Sequence, residues 1–91
     1  MTNAQVWEWA YRERAFAHLT MDEIEHVVDC LYDIVLWYWE KQPVGDFLTA
    51  VLKNDFMQAC GCADSVNGKV LPLYAKFLYN NIPMDFRKRI K

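Results

Sequence analysis

The sequence predicts an all-α fold, a compact bundle of four or five short helices. Three observations carry this expectation. Apolar residues recur at three- and four-residue intervals from Ile24 to Tyr38 and again from Val70 to Leu78, the spacing that lines one side of a helix. Thr20 and Glu23 stand in the S/T-x-x-E arrangement that opens helices. No alternating apolar–polar run bounded by turn residues occurs, so no strand is expected. At 91 residues there is room for one domain, placed at 1–83, followed by a basic C-terminal tail at 84–91. The hydrophobic fraction of 54% argues against a disordered chain.

A first helix is expected over 4–18, capped by Asn3 or Thr2. Its apolar residues fall on two sides: Trp9, Phe16 and Leu19 on one, Val6, Ala10 and Ala17 on the other. Such a helix is expected to be gripped from two sides. A second helix starts after Thr20, with Asp22 and Glu23 favourably placed at the positive end of its dipole. It ends near Lys41, ahead of Pro43. One side carries Ile24, Val27, Val28, Leu31, Ile34, Val35 and Tyr38; the opposite side carries Asp22, Glu25, Asp29 and Asp33.

Pro43-Val44-Gly45 reads as a turn and Asp46 as the cap of a third helix from Phe47. Asn54-Asp55 allows 46–61 to be one helix or two, and Gly61 is expected to stop it. Asp64 or Asn67 is a candidate cap for the last helix, where Pro72 fits only if regular helix begins near Val70. The expected core is Ile24, Val27, Val28, Leu31, Ile34, Val35, Phe47, Val51, Leu52, Phe56, Leu73, Tyr74, Phe77 and Leu78.

The residues Pro43, Gly45, Phe47, Leu48, Ala50, Val51, Leu52, Asn54 and Asp55 form a recognisable run. It continues through Ala59, Ala63, Asp64 and Asn67 to Leu78, Tyr79, Asn80 and Pro83. This pattern resembles a family of small phage- and prophage-associated helical proteins. The resemblance implies a phage or prophage origin and, with it, the cytoplasm of a bacterial host; it implies no named activity. The chain departs from the pattern at Cys60-Gly61-Cys62 and in the tail from Met84 to Arg89.

No catalytic residue, cofactor or metal site is expected. The Gly-x-Ser-x-Gly, Gly-rich phosphate-loop and His-Glu-x-x-His motifs are all missing. Cys60-Gly61-Cys62 is too closely spaced for an internal bridge. The odd count of three cysteines, without a secretory leader, suggests free thiols in a reducing compartment. No apolar run approaches membrane-spanning length. His26 lies four residues after Asp22, a spacing that suggests a pair on the helix surface.

Charge segregation points to a partner. The formal net charge is −2, yet Thr20–Glu40 holds six acids and no Lys or Arg, while Arg87–Lys91 holds four bases and no acid. Like charges on neighbouring turns repel, and a basic protein surface would relieve them. The expected contact is Asp22, Glu25, Asp29 and Asp33, with Trp37 as an exposed anchor at the far end. A host nucleic-acid enzyme inhibited through its basic surface fits this chemistry. An alternative is a nucleic-acid-binding accessory protein using Lys69, Lys76, Arg87, Lys88, Arg89 and Lys91. Another is a self-associating structural protein, a homodimer or larger, using Trp7, Trp9, Trp37 and Trp39.

Overall fold

The structure is a computed structural model. It describes residues 1–90, and for Arg14 and Ala15 the backbone alone. It is all-α, with no strand among the described residues. The helices are α1 (Asn3–Arg12), α2 (Met21–Glu40), α3 (Asp46–Leu52), α4 (Phe56–Cys62), α5 (Ser65–Lys69), α6 (Leu71–Asn81) and α7 (Phe86–Arg89), with a 3-10 turn at Arg14–His18 between the first two. Helix α1 packs along α2, α3 packs against α4, and α5 returns to α2. The extents are 33 × 28 × 19 Å. The short dimension is two helix diameters, so the bundle has two layers.

Helix α1 is capped by Thr2, whose hydroxyl accepts from the Gln5 N–H at 3.2 Å while the Gln5 side chain accepts from the Thr2 N–H at 2.7 Å. The helix stops at Arg12 rather than continuing to residue 18, because Glu13 is extended (φ −88°, ψ 120°). The Glu13 carboxylate is largely covered and meets Lys76 Nζ at 2.8 Å. This break resolves the two-sided pattern. Val6 and Ala10 reach the core from α1, and the 3-10 turn redirects Phe16 into the same core. Trp9 then packs edge-on against Phe77, with ring centroids 5.1 Å apart, and against Phe16 at 6.4 Å.

Helix α2 has the expected capping box, with Thr20 Oγ1 accepting from the Glu23 N–H at 3.1 Å and Glu23 Oε1 accepting from the Thr20 N–H at 2.9 Å. Its buried residues are Ile24, Val27, Val28, Leu31, Ile34, Val35 and Tyr38, the whole expected stripe. Lys41 ends it in the left-handed conformation, φ 58°. The stretch 46–61 divides in two. Asn54, at φ 59°, turns the chain, and Asp55 caps α4 through Gln58 N–H at 3.1 Å. Gly45, not Asp46, is the cap position of α3, and Asp46 is its first residue. Gly61 lies inside α4 and does not stop it; Ala63 does.

Asp64 caps α5, accepting from the Asn67 N–H at 2.7 Å. The chain breaks at Val70, and Pro72 then occupies the first turn of α6, where a missing donor costs no helical bond. Across the break the buried Tyr74 hydroxyl donates to Asn67 Oδ1 at 2.6 Å, which satisfies the one buried polar residue among those described. Phe56 is the clear departure from the expected core: it is 71% exposed. The turn at Asn54 places it at the start of α4, facing away from the packed side. Leu48 and Ala50 are buried in α3, where Phe47 and Val51 are half-buried. Val6, Phe16, Val70, Ile82 and Phe86 complete the core.

The segment expected as a tail folds back. Phe86 is buried and Ile90 packs against the core. The Tyr38 hydroxyl donates to the Asp85 carboxylate, and the Arg89 guanidinium lies 4.1 Å from the Tyr38 ring centroid and donates to the Tyr38 carbonyl at 3.0 Å. Lys91 lies outside the described residues.

Candidate functional site

Two surfaces stand out, an acidic ridge and an apolar groove. The ridge is the outer side of α2. Because its core stripe is buried against α1 and α5, the residues half a turn away face water, and Asp22, Glu25, Asp29 and Asp33 are all exposed. Among the described residues none of the four takes part in an ion pair; the acids that do are Glu8, Glu13, Glu23, Asp64 and Asp85. Partial desolvation and the neighbouring Asp29 charge hold the Asp33 carboxyl above its ordinary range.

Trp37 is not an exposed anchor beside the ridge. It is half-buried, packed on the core and tilted against Tyr38 with ring centroids 6.3 Å apart. The exposed indole of this helix belongs to Trp39, 47% exposed and edge-on to the Tyr38 ring at 4.8 Å. His26 is also placed differently from expectation. It meets Asp64 across the bundle at 2.6 Å rather than Asp22 on its own helix. Asp64 is held below the usual carboxylate range, first by the Asn67 backbone N–H and then by His26.

The candidate nucleic-acid set does not form one free basic surface. Lys69 meets Glu23 at 3.5 Å, Lys76 meets Glu13 at 2.8 Å, and Arg89 reaches Asp85 at 3.4 Å while stacking on Tyr38. Arg87 and Lys88 are exposed and outside ion pairs among the described residues. Among the tryptophans of the self-association alternative, Trp7 and Trp9 are half-buried against the core.

The second surface is an open groove of about 330 Å³ between α3, α4, α6 and α7. Its floor includes Leu52, Tyr74 and Leu78, and its rim carries Phe56 (71% exposed), Tyr79 (76%) and Met84 (49%). Its polar lining is Asn54, Asp55 and Arg87. The sequence carries one trace of it: Tyr79 is a large apolar residue off the 73, 74, 77, 78 stripe of α6. Comparison with known protein families, characterised proteins and solved structures returns no match.

Thiol chemistry is limited by placement. Cys30 is half-buried, its thiol pushed up by burial, whereas Cys60 and Cys62 are exposed and free. Among the described residues no cluster of three His, Cys, Asp or Glu side chains comes together to hold a metal ion. No described helix is long and apolar enough to cross a membrane.

Proposed function

We propose that this chain is a small, non-enzymatic phage- or prophage-type protein that binds a protein partner through the acidic ridge of α2. The observation that carries the reading is the clustering of unpaired acids on one helix face. Asp22, Glu25, Asp29 and Asp33 follow one another along a single face of α2, exposed and outside ion pairs among the described residues, whereas Glu8, Glu13, Glu23, Asp64 and Asp85 each meet a base. Adjacent ionised carboxylates on a helix cost about 0.2–0.5 kcal/mol per pair. A partner's Lys and Arg side chains would remove that cost and speed encounter through long-range attraction. Host enzymes that grip a nucleic-acid backbone carry such basic surfaces, and occlusion of one in the bacterial cytoplasm is the proposed effect.

The test is capture from bacterial lysate. The wild-type chain is expected to retain a basic partner, with retention falling as salt is raised. Glu25→Lys with Asp29→Lys should abolish capture while leaving helicity unchanged, since both positions are exposed. Undiminished capture by the double variant overturns the ridge as the contact.

A further inference from the structure

We infer that the apolar groove is the seat of a homodimer, in which Phe56 of each copy enters the groove of the other about a twofold axis. Single exposed apolar side chains are ordinary on protein surfaces. Here three large ones, Phe56, Tyr79 and Met84, ring the same concavity. The patch therefore holds both a projecting ring and a recess of about 330 Å³ able to take one.

Charge selects the occupant. A twofold contact requires a self-complementary patch, because residue i meets residue j and j meets i. The ionic residues lining the groove are one acid, Asp55, and one base, Arg87. Neither takes part in an ion pair among the described residues. Asp55 uses Oδ1 to cap α4, and a carboxylate has further acceptor capacity for a guanidinium. Two copies can thus form two Asp55–Arg87 pairs around a shared apolar centre. A groove matched to an acidic or basic partner would carry charge of one sign. No α2 residue lines the groove among those described, so the inference stands independently of the ridge.

Sedimentation velocity on the full chain, from low micromolar to several hundred micromolar, tests it. The wild type should show a monomer–dimer equilibrium. Phe56→Ser is safe for folding because the ring is already exposed, and should weaken the dimer by about three orders of magnitude, since the twofold contact loses two central anchors at once. Arg87→Asp and Asp55→Arg should each be monomeric alone and should dimerise when mixed, because the mixture restores both opposite-charge pairs. Circular dichroism checks that Asp55→Arg remains helical after losing its cap, and Asp55→Asn, which keeps the cap without the charge, should also weaken the dimer. A wild type that is monomeric throughout, a dimer indifferent to Phe56→Ser, or a mixture no more associated than its components would each overturn the inference. So would a monomer that loses capture of a host protein on Phe56→Ser, which would give the groove to another partner.

Discussion

Asp33 and Asp64 show how two carboxyls in one small domain respond to opposite surroundings. Asp64 accepts a backbone N–H and faces His26, and its carboxyl is held down. A group depressed on folding contributes stability above its unfolded value and loses it as pH falls through the folded value. Asp33 is the reverse: desolvation and Asp29 raise it, so ionisation costs the folded state stability once pH exceeds the unfolded value. Asp33→Asn should therefore be more stable than the wild type at neutral pH, by about 0.2–0.5 kcal/mol for relief of one like-charge pair. The difference should disappear below about pH 4, where the unfolded carboxyl is protonated too. Urea unfolding of both proteins across that range checks the sign; an advantage that persists unchanged in acid would remove the electrostatic cause.

Helix ends decide the architecture more than helix interiors do. Lys41 sits at φ 58°, where a Cβ is crowded, and ends α2. Lys41→Gly should stabilise the chain by about 0.5–1 kcal/mol, the relieved crowding exceeding the added chain entropy of glycine. A lower melting temperature would show that the lysine side chain has a compensating contact. The same consideration explains what was legible in the sequence. Helix α2 was readable in full, because its stripe persists over 20 residues behind a capping box. The first helix was not, because no Pro or Gly marks the break at Glu13, and the Lys76 that Glu13 meets there is far away in sequence. The expectation of a buried Phe56 fails because the left-handed turn at Asn54 resets the helical phase between α3 and α4. The ridge was visible because one helix carries it. The groove was not, because its walls run from Ala50 to Arg87 and only folding brings them together.

Across the whole molecule, the C-terminal segment is part of the core. Phe86 is buried and walls the groove, while Arg89 and Asp85 hold the segment on Tyr38 at the end of α2. Phe86→Ala should destabilise the domain by about 3–5 kcal/mol, the usual cost of emptying a buried aromatic site. Against the roughly 5–15 kcal/mol that holds small domains together, that is a large share. Chemical denaturation measures it, and a loss under about 1 kcal/mol would mean the segment only rests on the surface. Pairing through the groove would set two acidic ridges on one particle and raise avidity for a partner that also carries two basic sites within reach.

Cys60 and Cys62 are free and exposed on α4, the helix that begins with Phe56. In air they are open to oxidative coupling between molecules, and such adducts would sediment as a two-chain species regardless of how the groove behaves. Preparations kept under a strong reductant, or carrying serine at both positions, separate that artefact from reversible association. The same two thiols accept a fluorophore or spin probe, giving α4 a spectroscopic handle close to where the copies are expected to meet.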